Sequence, residues 1–473
     1  MTKHRYKIVA LSLLSAAANL GAAPSVYPTG VTRYDTATAY NSYVIFSGQD
    51  KKTHLIDMNG NEVHHWDAEG FPPVLLDPAL TGGQRGNVLL QLASISGTSN
   101  EGNGLRNQAI GELDWNSNVV WQWGAASASS AQDAYATPVE GKANPQVPGG
   151  SAKQHHDWRR LANGNTLVLA NLVHPLKGFS APQVLDDVIY EVSKQGDIVW
   201  QWVASEHLHE FGFSAASLKL VKEGASPRGK AAPFDYLHVN NMSVLGPNKW
   251  FDGGDQRFNP ENILIDSREA NFIVIIDKQT GKVVWNLGPD YPAPARGPRV
   301  LPRPVDQIVG QHDAHLIEPG LPGAGNLLVF DNQGEAGYPR VSVGVQPRSR
   351  VLEIDPVTKQ IVWEYTGGDS NGPDWSFYSS FISSARRLPN GNTLIDEGMN
   401  GRIFQVTNKG DIAWEYISPY FAPTPVAGAG KPVLSNWLYR AQPVPYNWVP
   451  EGTPRSEKAV TPPEPGKYRV ATS

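Results

Sequence analysis

Ile275-Ile276-Asp277-Lys278-Gln279-Thr280-Gly281-Lys282-Val283-Val284-Trp285 carries the pattern from which the architecture is read. An apolar run enters a turn holding an Asp and a Gly, and an apolar pair leaves it, ending in Trp. Alternating apolar residues on either side of a turn that needs positive φ specify a β-hairpin. The same pattern recurs from Leu55 to Trp66, Ile110 to Trp121, Ile189 to Trp200, Leu352 to Trp363 and Ile403 to Trp414. A second hairpin precedes most of these units, marked by Gly86-Asn87, Gly164-Asn165, Gly325-Asn326 and Gly391-Asn392, with Asn262-Ile263-Leu264 as a weaker version. Two hairpins make a four-stranded antiparallel blade. Six such blades around an axis predict an all-β fold, a six-bladed β-propeller. The Trp rings are expected to pack between neighbouring blades, where a large flat side chain buries most area.

Unit one lacks an innermost strand of its own. The stretch Asn436 to Val444, with Tyr439-Arg440-Ala441, resembles the innermost strand of unit six, Ser384 to Leu388. A C-terminal strand is therefore expected to close the ring onto unit one and remove the exposed sheet edges. The expected organisation is an export signal at 1–23, the propeller at 24–449 and a Pro-rich, disordered tail at 450–473.

Composition narrows the function. Forty basic and 45 acidic side chains in 473 residues give a net charge of -5, which excludes a basic nucleic-acid binder. Cysteine is absent, so thiolate catalysis, disulfides, iron–sulfur clusters and Cys-type zinc sites are excluded as well. Gly (46) and Pro (38) are plentiful, as a turn-rich fold requires. At the N-terminus Lys3, His4, Arg5 and Lys7 precede the apolar run Ile8 to Leu14 and small residues through Ala23. That order reads as a secretory signal, and the run is too short to span a bilayer. The mature chain is expected to be periplasmic or secreted, without membrane insertion once the signal is cut. Nucleotide-activated donors are not supplied in such a compartment.

In a propeller the innermost strands line the central channel, and the segments entering them form one mouth. Three consecutive units carry imidazoles there: His155-His156-Asp157-Trp158, His238-Val239-Asn240-Asn241 and Gln311-His312-Asp313-Ala314-His315. Imidazole clusters suit metal ligation, nucleophilic transfer or the clamping of an anion. Arg268 and Arg340 could add fixed charge in a planar fork that matches tetrahedral oxyanions. His207-Leu208-His209-Glu210 has the look of a metal pair on a strand. Asp252-Gly253-Gly254-Asp255 offers oxygens but lacks the spacing of a calcium loop. No metal and no cofactor is assigned from these residues.

His238-Val239-Asn240, Gln311-His312, Phe330-Asp331-Asn332 and the run Arg387 to Leu394 (Arg-Leu-Pro-Asn-Gly-Asn-Thr-Leu), with six blades and an export signal, resemble the bacterial arylsulfate sulfotransferases. The likeness covers most of the mature chain. It implies transfer of a sulfuryl group from a small phenolic sulfate ester to a phenol acceptor, with no nucleotide donor. It also implies a sulfo-histidine intermediate, with two further His and an Arg holding the sulfate oxygens. By motif His238 and His312 match the clamp histidines and Arg340 the clamp arginine, with a longer spacing. Asn240, Asp313 and Arg268 are candidate substrate-binding residues. The family places its nucleophile downstream of the second clamp His, yet no His follows His315. Unit six instead presents Tyr378-Ser379-Ser380-Phe381-Ile382-Ser383. His315, His155 or His156 would have to take that role, or the chemistry differs. Two other readings remain open. Asp277 to Trp285 resembles the docking repeat of quinoprotein dehydrogenases, although those propellers have eight blades and often an adjacent-cysteine disulfide. A non-catalytic ligand-binding scaffold is the other.

Overall fold

A computed structural model describes residues 28–94, 107–124, 153–225, 232–293, 299–424 and 431–462. The expected signal segment, 1–23, lies outside the described residues.

Six antiparallel sheets form a ring, a six-bladed β-propeller. Blade one contains Tyr43–Ser47, Thr53–Ile56 and Glu62–Trp66, blade two Val74–Leu75, Val88–Ser94, Asn107–Leu113 and Val119–Gly124. Blade three runs Lys153–Arg160, Thr166–His174, Val184–Val192 and Ile198–Val203. Blade four is Val239–Val244, Ile263–Ser267, Phe272–Ile276 and Val283–Leu287. Blade five is His312–Leu316, Leu327–Asp331, Arg350–Asp355 and Gln360–Tyr365, and blade six Ser384–Arg387, Thr393–Glu397, Arg402–Val406 and Ile412–Ile417. The two middle strands of blade four are buried at every position, because each blade is covered on both faces by its neighbours.

The repeated turn works through its first polar residue. Asp57 accepts the N–H groups of Asn59 (2.9 Å) and Asn61 (3.0 Å), and Gly60 takes φ +77°, which closes the reversal without a Cβ clash. Asp114 and Asp355 hold their turns in the same way.

A Trp on the outermost strand of each blade ties it to the next: the one that ends the repeat in four blades, and the one two residues past it in blades two and three. The indole N–H groups of Trp66, Trp123 and Trp202 donate to the carbonyls of Asp114, Gly196 and Gly281 at 3.0, 3.1 and 2.9 Å. Trp285, Trp363 and Trp414 donate to Pro356, Asn408 and Met58 at 2.8, 3.1 and 2.7 Å. Every acceptor sits in the turn of the following blade, and the sixth bond returns to blade one. Each such hydrogen bond is worth about 1 kcal/mol. Burying the ring, about 150–250 Å² at roughly 25 cal/mol per Å², contributes several times more, so packing rather than the bond explains the choice of Trp.

Closure is double. Gln442–Val444 pairs with Tyr43–Ile45 as the innermost strand of blade one, as the sequence suggests. In addition Gly30–Tyr34 pairs with Ile417–Trp414 as a fifth, outermost strand of blade six. Of the tail expected to be disordered from 450, the described part is tied to the propeller as far as Val460, and 463–473 lie outside the described residues. The Ser456 N–H donates to Asp57 (2.9 Å), the Lys458 N–H to Asn59 (2.8 Å), and Val460 bridges to Tyr34. A Pro-rich segment needs no regular ladder to be fixed when turn carboxylates and amides accept its few N–H groups.

Candidate functional site

The imidazoles occupy irregularities in the innermost strands. Pairing slips between Val168 and Ala170, between Val239 and Asn241 and between His312 and His315, opposite or within the three His segments. His156 (φ +59°), His238 (φ +50°) and Asp313 (φ +60°) adopt left-handed backbone there, and Ile382 (φ +56°) and Ser383 (φ +92°) do so in blade six. Bulges of this kind re-aim a side chain off the pleat, and left-handed non-glycine residues cost about 1–3 kcal/mol each. Five of them at the channel entries mark where the fold accepts strain.

His156 and His238 meet edge to face with ring centroids 4.7 Å apart. Behind His238, Asp235 approaches Nδ1 at 2.7 Å. A carboxylate on Nδ1 keeps that proton in place and leaves Nε2 as the nitrogen with a lone pair. Nε2 makes no hydrogen bond among the described residues, and the His238 side chain is 23% exposed. Behind His156, Nδ1 lies 2.7 Å from His155 Nδ1, and His155 Nε2 lies 3.2 Å from Asp187. Burial, and next the negative charge of Asp235, push the Asp187 carboxyl well above the usual range. Asp187, His155 and His156 thus form a chain of close polar contacts behind the mouth.

His312 is differently engaged. Its Nδ1 faces the Asn332 side-chain oxygen (2.7 Å) and the Gly310 carbonyl (3.0 Å), while Nε2 accepts the Ile382 N–H at 3.1 Å. Burial first, then the charges of Arg268, His238 and Arg440, hold it well below the usual imidazole range, so it is neutral. Both nitrogens are used, which makes His312 a support for the Ile382–Ser383 turn rather than a free donor. His315 points the expectation elsewhere: it lines a cavity with Arg159, Arg386 and Arg440 at the downstream ends of the innermost strands, the opposite mouth.

Arg268 pairs with its neighbour Glu269, and its charge reaches His312 and Tyr378. Arg340 does not join the cluster. Its guanidinium lies between Glu269 (3.1 Å) and Glu335 (3.2 Å) with the side chain 53% exposed, on the rim. Asn240 and Asp313 are fully buried pegs: the Asn240 amide donates to the Gln311 carbonyl, and Asp313 binds Arg386 and the Ala385 N–H.

Several residues that the sequence did not single out complete the site. Phe71 stacks on Tyr439 (3.8 Å) and meets His156 edge-on (5.5 Å), while Trp437 lies 6.2 Å from Phe71 and 6.3 Å from Phe381. These rings form one apolar cluster beside the imidazoles. Below it Arg440 fills the hub, donating to Asp157 (2.9 Å) and to the Asn240 carbonyl (3.1 Å). Only Asp235 carried a local signal, three residues before His238; the aromatic partners come from three distant segments.

The family model for arylsulfotransferase (ASST) matches residues 124–417. The chain belongs to the arylsulfotransferase family. The matched span takes in His155 to His315, whereas Phe71, Trp437 and Arg440, which border the imidazole cluster, fall outside it. No curated protein matches the chain. Among solved structures, a Bacteroides caccae protein of unknown function is similar at 11% identity and TM-score 0.45, over 86% of this chain and 99% of that one. Apo AztD from Citrobacter koseri is similar at 8% identity and TM-score 0.35, over 85% and 98%. Similarities this weak add nothing to the family assignment.

The other candidate groups dissolve on inspection. His207 lies in a short 3-10 turn, not on a strand; it stacks on Trp202 and faces Glu210 at 3.2 Å. Asp255 caps a turn and pairs with Arg257 at 2.6 Å. Among the described residues no group of three or more His, Asp or Glu could hold a metal ion. Asp277 to Trp285 is a hairpin whose Trp285 serves the inter-blade belt. Among the described residues no helix is long and apolar enough to cross a membrane.

Proposed function

We propose that this arylsulfotransferase-family protein moves a sulfuryl group from an aryl sulfate to a phenol by way of His238. The observation that carries the reading is the Asp235–His238 pair in contact with His156. The Nε2 lone pair of His238 attacks sulfur. The bond from sulfur to the phenolic oxygen breaks, and the departing oxygen takes a proton from His156, replenished along His155 and Asp187. In the second half the acceptor phenol gives its proton to His156 as its oxygen attacks sulfur, and a proton passes back through His155 to Asp187. The S–N bond then breaks and its electron pair returns to His238. Phe71, Phe381 and Trp437 supply flat apolar surface for the aryl ring, and Arg268 supplies positive charge for the sulfate oxygens. Stabilising that charge is the largest contribution such a site makes, and one well-placed donor is worth about 10²–10³ in rate.

In this reading His312 positions the Ile382–Ser383 turn, which fills the blade-six place where the family's downstream nucleophile would stand. The basic, apolar and small-residue order of the first 23 residues supports an exported enzyme, which suits a donor carrying its own activated group. The test is transfer from 4-nitrophenyl sulfate to phenol, followed by nitrophenolate release with no added cofactor. Release that depends on phenol supports the reading; none under any acceptor, or release only with added quinone, removes it.

A further inference from the structure

The second mouth of the channel holds an unused cationic cavity. It encloses about 230 Å³ and is bordered by Arg159, His315, Arg386, Arg387 and Arg440. The histidine cluster of the proposed transfer site sits at the upstream ends of the innermost strands; these residues come from the downstream ends. Arg440 and the Asp157 and Asp313 carboxylates separate the two.

The charges do not cancel. Asp157 takes Arg440 at 2.9 Å and Arg159 at 3.5 Å, and Asp313 takes Arg386 and, at 3.4 Å, Arg440. Three guanidinium groups thus share two carboxylates. Arg387 is matched separately by Glu353 at 2.7 Å. The two acids are fully buried, whereas the Arg159 and Arg386 side chains keep 23% and 20% exposure. The Nε group of Arg387 is buried and makes no hydrogen bond among the described residues, and that of Arg440 has only its 3.4 Å contact with Asp313. Two further carboxyls, Asp266 and Asp396, are fully buried within reach of the Arg440 and Asp313 charges, and burial holds both well above the usual carboxylate range, while the exposed Glu318 stands at the rim. Partly exposed guanidinium groups beside a net positive charge favour an oxyanion, for which the planar guanidinium fork is shaped.

Much of the remaining wall is apolar, with Pro72, Leu321, Leu388, Pro443 and Trp448, and Tyr40, Ser42 and Gln442 add neutral polar groups. A volume below the roughly 300 Å³ of ordinary drug-sized pockets suits a single ring with one anionic group. We infer that the far mouth is a second binding site, distinct from the histidine cluster, for a small aromatic oxyanion held by Arg159 and Arg386.

Benzenesulfonate is a suitable probe, because it has the ring and the oxyanion but no sulfur–oxygen ester bond to transfer. Calorimetric titration of the full chain is expected to give two sites, with affinity falling as salt is raised. Leu321→Trp, which fills the cavity without touching an ion pair, and Arg386→Gln should each remove one site and leave 4-nitrophenyl sulfate turnover intact. His238→Ala should remove the other. Melting temperature checks that each variant folds, and Leu321→Trp carries the test if Arg386→Gln does not. Unchanged stoichiometry in Leu321→Trp overturns the inference. Loss in Leu321→Trp with no loss in His238→Ala upholds it and overturns instead the reading of the histidine cluster.

Discussion

At the scale of single residues, the account turns on which imidazole nitrogens are free. His238 has one nitrogen fixed by Asp235 and the other available; His312 has neither. His238→Ala should therefore lower transfer from 4-nitrophenyl sulfate by at least about a thousandfold, and Asp235→Asn by roughly a hundredfold, within the range expected of a positioned proton-transfer partner. Initial rates at saturating phenol measure both, and a His238→Ala variant with full activity would refute the assignment. His315 offers a separate check through stability. Burial first, then Arg386, hold it well below its ordinary 6.5. The unfolded chain consequently takes up a proton that the folded one refuses. Its contribution is complete above about pH 6.5 and is lost as pH falls below that value, at up to about 1.4 kcal/mol per pH unit. His315→Asn should unfold with a shallower acid dependence than wild type between pH 6.5 and 5, read from urea midpoints. Parallel curves would show that His315 is not held neutral. The sequence singled out three imidazole segments, and the fold brings His156 and His238 from two of them into contact. It could not say which nitrogens were spoken for, because the Asn332 amide, the Ile382 N–H and the Asp235 carboxylate reach them only through the fold.

At the scale of elements, hairpins and belt were legible because each repeat carries its own turn residue and its own Trp. The strand-entry bulges were not. A one-residue slip in pairing leaves no mark in an alternating apolar pattern, yet it turns His156 and His238 toward each other. The belt makes a plain prediction. Trp414→Phe keeps an aromatic ring but strands the Met58 carbonyl, so stability should fall by about 1–3 kcal/mol. Chemical denaturation measures it, and a loss of only a few tenths would mean that water or a shifted backbone satisfies that carbonyl. The same substitution should leave turnover per folded molecule unchanged, since the belt lies at the blade periphery.

Over the whole molecule, closure and site construction are one event. The C-terminal segment supplies the innermost strand of blade one, the Trp437 and Tyr439 rings beside His156, and Arg440 at the hub. That closing strand was visible in the sequence as a likeness to blade six; its part in the hub was not, since Tyr439-Arg440 touches blades three, four and five. Arg440→Leu would strand Asp157 without a fully buried cation, a change that typically costs about 3–5 kcal/mol. Its denaturation midpoint should drop accordingly, and an unchanged midpoint would show that the hub charges are balanced without it. The central claim, that a histidine of this closed ring carries the sulfuryl group, is tested most directly by intact mass and peptide mapping after incubation with 4-nitrophenyl sulfate and no acceptor. A single sulfuryl adduct on His238, discharged by phenol and absent from His238→Ala, is the predicted result. Turnover without any adduct, or an adduct that maps elsewhere and survives His238→Ala, would contradict it.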